Sequence, residues 1–194
     1  MPTRINWDDL DTEDNYQYFW NDIPYTGIAF ELHGNGQLSV EQEFEGGWMA
    51  GLTKEYYPSG QLKMEGDGNG SVFEGIARYW HKNGQLKTEY YHNTKRGFYP
   101  YHKEWDEEGN LKSLEVVQLR LPNSGGHRVV TEFHSNGEIK DEKEFEFGYL
   151  IRHQTFNENG TETTKYFIVE DDKNYPSWQT KRTEYEAWKK EQMS

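Results

Sequence analysis

Gly75-Ile76-Ala77-Arg78-Tyr79-Trp80-His81-Lys82-Asn83-Gly84-Gln85-Leu86-Lys87 decides how this chain folds. It places an Asn-Gly step between two alternating segments, the strongest short-range signal for a β-hairpin. The stretch also recurs. Gly-Gln-Leu stands at Gly36-Gln37-Leu38, Gly60-Gln61-Leu62 and Gly84-Gln85-Leu86. Looser copies are Gly109-Asn110-Leu111 and Gly137-Glu138-Ile139, and a degenerate sixth is Gly160-Thr161-Glu162. Such a period marks a repeat architecture.

The neighbours of these glycines keep register. Four positions before the glycine stand Leu32, Tyr56, Trp80, Trp105, Phe133 and Phe156. Two after it stand Leu38, Leu62, Leu86, Leu111 and Ile139, then Glu162. Eight before it stand Ile28, Leu52, Ile76, Tyr101 and Val129, then Arg152. Nine before it, the first three copies have Gly27, Gly51 and Gly75. Positions −8, −4 and +2 share parity, so in strands they face one side. A three-residue loop with its glycine left-handed sets −4 opposite +2. That predicts the cross-strand pairs Tyr56–Leu62, Trp80–Leu86 and Phe133–Ile139. One hairpin is marginal alone and needs neighbours. The fold class expected is all-β: an extended or rolled antiparallel β-meander of about six repeated hairpins, about twelve strands, with a short C-terminal helix.

The composition suits a thin sheet. Only 33% of the 194 residues are hydrophobic, but 16% are aromatic. Aromatic side chains bury much area and tolerate a wet edge. The net charge of −13 repels nucleic acid and anionic lipid and attracts basic partners. With no cysteine, disulfides, thiolate metal sites and a cysteine nucleophile are excluded. The first fifteen residues show no apolar leader, and no stretch approaches the length of a membrane span. The expectation is a cytoplasmic protein.

No catalytic or metal constellation emerges. His33, His81 and His134 share the slot three before the repeat glycine. Tyr57, Asp106 and Asn157 fill that slot elsewhere, so its role reads as structural. His92, His102, His127 and His153 show no ligand spacing. Glu41, Glu65, Glu89 and Glu142 recur five after the glycine; odd parity relative to the leucine row assigns them to a solvated face. Asp67, Asn69 and Ser71 begin like a calcium loop, but Val72 and Arg78 stand where its glycine and closing glutamate belong. The reading is non-catalytic, with no cofactor and no metal.

The flanks differ from the repeat. The chain divides into an acidic N-terminal cap (1–26), the hairpin repeats (27–170) and a helical tail (171–194). Pro122-Asn123-Ser124-Gly125-Gly126 makes a loop four residues longer than the period. Trp178 to Gln192 lacks glycine and proline and reads as one helix docking on the sheet end, with Tyr185 and Trp188 on one face. The candidate partner-binding residues are Asp8, Asp9, Asp11, Glu13 and Asp14 in the acidic run, with Trp20, Trp48 and Tyr99 outside the repeat slots.

The blocks Tyr25-Thr26-Gly27-Ile28-Ala29, Gly51 to Gly66 and Gly75 to Lys87 resemble bacterial MORN-variant repeats, whose unit reads G-x-x-x-x-Y-Y-x-x-G-x-L-x-x-E. The resemblance is close over the first three copies, fair over the next two and poor in the sixth. Chains of such repeats are similar to YwqK-type antitoxins and to immunity proteins of polymorphic toxin systems. The resemblance implies an antiparallel meander that neutralises a cognate protein toxin by direct binding; the charge makes that toxin basic. It brings no catalytic residues. A protein scaffold or membrane-associated module, and a carbohydrate-binding sheet, are the alternative readings.

Overall fold

The computed structural model describes the backbone of residues 3–13, 16–68, 73–93, 98–118 and 126–193, and the side chains of 4–13, 16–68, 74–92, 100–117, 126–187 and 190. Asp14, Asn69, Ser71, residues 122–125 of the long loop, and the side chains of Tyr99 and Trp188 lie outside these described residues.

The strands are β1 (Thr3–Asn6), β2 (Asp11–Thr12), β3 (Tyr18–Trp20), β4 (Ile23–Pro24), β5 (Gly27–Leu32), β6 (Leu38–Glu45), β7 (Trp48–Tyr56) and β8 (Leu62–Gly68). They continue with β9 (Phe73–Trp80), β10 (Leu86–Asn93), β11 (Phe98–Trp105), β12 (Leu111–Gln118), β13 (His127–Phe133), β14 (Ile139–Glu146), β15 (Tyr149–Phe156) and β16 (Glu162–Phe167). One helix follows, α1 (Tyr175–Met193). Thirteen strands form one meandering sheet in the order β1, then β5 to β16; β2, β3 and β4 form a small second sheet. The meander is antiparallel, and β1 joins β5 in parallel. No helix among the described residues is long and apolar enough to cross a membrane.

The chain divides into two compact units, residues 1–99 with 107–109, and 100–106 with 110–194. In the first, Leu32–Leu38, Tyr56–Leu62 and Trp80–Leu86 pair across their hairpins as the spacing predicts. In the second, Trp105–Leu111, Phe133–Ile139 and Phe156–Glu162 do the same. The loop is built as expected: His33 N–H donates to Gln37 O and Gly36 N–H to His33 O, each at 2.8 Å. All six loop glycines are left-handed, with φ from +79° to +89°.

Beyond each of these pairs the register slips by one. The next pairs are Glu31–Val40, Glu55–Met64 and Tyr79–Thr88 in the first unit, leaving Ser39, Lys63 and Lys87 unopposed. A bulge flips the parity of all that follows it. The glutamate row therefore lies on the same face as the tyrosine and leucine rows, which corrects the assignment to a separate solvated face. Glu41 sits opposite Phe30, and Tyr56 Oη donates to Glu41 Oε2 at 2.8 Å. Arg4 pairs with Glu41 at 2.7 Å, and Arg78 bridges Glu89 at 2.8 Å and Glu65 at 3.4 Å. These half-exposed pairs contribute little each, about 0–1 kcal/mol.

That face is only partly covered: Leu32 is 50% and Ile76 41% exposed. The buried side is the other one. Ala29, Gln42, Phe44, Thr53, Met64 and Ala77 are all buried there. The N-terminal segment closes over it, with Tyr25, Ala29 and Phe44 at the centre and Ile5, Trp7, Leu10, Tyr18 and Met49 around them. Trp7 and Tyr18 meet the Phe44 ring edge-on, at 5.3 and 5.1 Å between centroids.

Loop side chains stitch one repeat to the next. His33 Nε2 bonds Tyr56 O at 2.8 Å, and Tyr57 Oη donates to Trp80 O at 2.7 Å. In the second unit His134 Nε2 bonds Phe156 O at 2.9 Å. The recurring histidine slot is thus an inter-repeat staple, and tyrosine serves it equally. The asparagine before the glycine makes a second rung: Asn35 to Pro58 O, Asn83 to Glu107 O and Asn136 to Glu158 O, each 2.7 Å. Asn35→Ala and Asn83→Ala are each expected to cost about 1 kcal/mol in urea unfolding. Their loops are four strands apart, about 19 Å, so the double variant loses the sum.

In the second unit α1 packs on the β14–β15 turn. Trp178 Nε1 donates to Glu146 Oε2 at 2.8 Å, and Arg182 approaches the same oxygen at 3.6 Å. The Phe147 and Tyr185 rings lie 6.0 Å apart. Near by, burial pushes the Glu144 carboxyl up, but hydrogen bonds with His127 and Arg152 and their charges together hold it below its ordinary 4.5. The unfolded chain then binds the proton more readily, so this contribution is full above pH 4.5 and is lost as pH falls through the lower folded value. Urea midpoints should therefore drop on acidification, and less steeply in Glu144→Gln.

Candidate functional site

The N-terminal segment is built by local chemistry before it docks. Asn6 Oδ1 accepts from Asp8 N at 3.0 Å and caps a 3-10 turn over Trp7–Asp9. Asn21 and Asp22 both have positive φ, 52° and 62°. That is the two-residue turn that suits a hairpin twist, and it pairs Trp20 with Ile23 across β3 and β4. Asp11 pairs with Phe19 and places β2 beside them.

The β6–β7 turn, Glu45-Gly46-Gly47-Trp48, is clamped into this cap. Tyr18 N–H donates to Gly47 O and Gly47 N–H to Tyr25 O, both at 2.7 Å. Gln17 Nε2 donates to Gly46 O, and Gly46 N–H to Thr26 Oγ1, both at 2.9 Å. Cap and turn therefore form one element. Its surface carries Trp48 (48% exposed), Trp20 (41%) and Ile23 (68%). Asp8, Asp9, Asp11 and Glu13 are exposed on the same segment.

Of the residues singled out from sequence, Asp8, Asp9, Asp11, Glu13, Trp20 and Trp48 belong to this element. Tyr99 does not: its backbone lies in β11. Ile23 and the exposed Tyr16 escaped the sequence reading. The signal for Ile23 was its place just past the Asn-Asp turn. Behind the β6–β7 turn opens a cleft of about 290 Å³ lined by Thr26, Ile28, Glu43, Phe44, Glu45 and Gly51, among others. Glu43 Oε2 there accepts from Leu52 N at 3.0 Å.

The charge is unevenly spread. Residues 1–53 hold ten acids against the single base Arg4, while the remainder nearly balances. Among the described residues no group of three or more His, Cys, Asp or Glu could hold a metal ion.

Compared with known families, the chain matches the MORN repeat variant at residues 49–67 and 73–93. Each matched stretch is one strand–loop–strand hairpin, β7–β8 and β9–β10. No curated protein matches the chain. MORN-variant repeats are thus present in the second and third hairpins, and they build a repeat-based module of the kind that binds proteins.

Proposed function

We propose that this chain is an antitoxin or immunity protein, non-catalytic, which neutralises a basic protein toxin by direct contact through its N-terminal cap. One observation carries the reading: the acid-rich stretch of residues 1–53 is also where Trp20, Ile23 and Trp48 stand exposed. An acidic rim around aromatic anchors gives steered association and local binding energy together. The same field disfavours nucleic acid and anionic lipid.

A pull-down from the native host with the tagged protein, at low and then high salt, tests this. One stoichiometric basic protein, retained at low salt and released at high salt, is expected. Its expression alone should arrest growth, and co-expression of this chain should restore it. No protein partner at either salt overturns the proposal. Trp48→Ala should weaken the complex about tenfold to a hundredfold, in the range of an aromatic anchor.

A further inference from the structure

Among the described residues the sheet ends on β16, and no strand pairs with its outer side. Its outer backbone groups have no ladder partner, a ready template for another strand. The strand itself, Glu162-Thr163-Thr164-Lys165-Tyr166-Phe167, is exposed at every position except Tyr166. Among the described residues no strand covers this edge, and α1 packs on the β14–β15 turn through Trp178, Arg182 and Tyr185. Among the described residues of the second unit, the exposed large apolar side chains are Phe167 and Val169, both at this edge. In the first unit Tyr16, Trp20, Ile23 and Trp48 stand on the cap, where the acids gather, and Leu32 and Ile76 on the sheet face. Within β16 itself the charges match one to one: the strand holds one acid, Glu162, and one base, Lys165, and the acids Glu170, Asp171 and Asp172 lie beyond it.

We propose that this edge is a self-association surface, on which the β16 strands of two copies of the chain pair antiparallel about a two-fold axis. The charges select the occupant. Glu162 and Lys165 lie on the same face: Phe156 stands opposite Glu162 and Gln154 opposite Lys165, with Thr163 bulged between them. They already meet within one chain at 3.7 Å. An edge lysine normally repels a second strand. A two-fold axis sets Lys165 of each copy against Glu162 of the other, so the guard fails against a copy of itself. The opposite end of the sheet is the four-residue β1, held in parallel. Pairing at β16 alone is isologous, so it closes at two copies rather than running into a fibre.

A six-residue edge makes a small interface, so the dimer should be weak, with Kd of about 10–100 μM. Sedimentation equilibrium of the full chain over a range spanning those concentrations should show a reversible monomer–dimer equilibrium. Lys165→Glu sets like charges across the axis and should raise Kd about tenfold or more. The swap Glu162→Lys with Lys165→Glu should restore it. Both positions are solvent-exposed, and circular dichroism checks that each variant is folded. A monomer throughout the range, or a dimer that Lys165→Glu leaves unchanged, overturns the proposal. So does a swap variant that fails to recover.

Discussion

Gly47→Ala should destabilise the protein by about 3 kcal/mol and detach the N-terminal cap. Two effects add. Gly47 has φ +86°, a left-handed conformation that costs a residue with a Cβ about 1–2 kcal/mol. A Cβ there would also stand 2.7 Å from Tyr18 O and 2.7 Å from Gln17 Cγ. The backbone oxygen cannot step aside without moving β3. Relief therefore requires breaking the Tyr18–Gly47 and Gly47–Tyr25 bonds, about 1 kcal/mol each. In a chain of 194 residues this lowers Tm by roughly 6–12 °C. Gly46→Ala is the control. It is also left-handed, with φ +58°, but nothing lies within 4 Å of its Cβ. It should show the conformational cost alone. Equal losses in both variants would mean that the close approach at Gly47 contributes nothing.

The second large effect is expected at Gln42. It is a fully buried polar side chain, 1% exposed, and it fills an irregularity in the sheet. Between the pairs Gln42–Thr53 and Phe44–Met49, Glu43 alone faces Ala50, Gly51 and Leu52. Gln42 Nε2 donates to Glu43 O at 2.8 Å and to Ala50 O at 3.2 Å. Thr53 Oγ1 donates to Gln42 Oε1. Gln42→Ala removes these bonds and leaves a void, for an expected loss of about 3–5 kcal/mol. Gln42→Met refills the volume without the bonds and should lose about 2 kcal/mol. A methionine variant as stable as the parent would show that the polar contacts are dispensable.

The same irregularity explains two of the three glycines nine before the loop, Gly51 and Gly75. Asp67 faces Glu74, Gly75 and Ile76 just as Glu43 faces the Gly51 bulge. Both glycines are left-handed, with φ +67° and +90°. Their recurrence was legible in the sequence, but their role was not. A bulge is defined by which strand lies opposite, and spacing within one strand does not report it.

The hairpins themselves were legible because a three-residue loop fixes register locally. The pairs Tyr56–Leu62 and Phe133–Ile139 each follow from seven residues of sequence. The glutamate row was misplaced for the converse reason. Strict alternation was carried through Lys63 and Lys87, where one residue is extra. The steady polar character of that position, Ser39, Lys63, Lys87, Lys112, Lys140 and Thr163, was the available clue. The buried face escaped notice because its repeat positions carry small residues, Ala29, Thr53 and Ala77, rather than the large ones that draw the eye.

At the candidate site, Trp20 and Trp48 stood out as aromatics without a repeat slot. That they share one element depends on hydrogen bonds from Gly47 to Tyr18 and Tyr25, more than twenty residues away in sequence. Such contacts leave no periodic trace. The cap is thus a local design imposed on one end of a repeated scaffold, and the scaffold's own loops are occupied in holding repeats together.

Hydroxyl-radical footprinting of the complex with the captured protein tests this division most directly. The account predicts that oxidation of Trp20, Trp48 and Tyr16 falls on binding, while Tyr57 and His33 in the loop staples are unchanged. Protection of the loop residues with the cap still open to oxidation would contradict it.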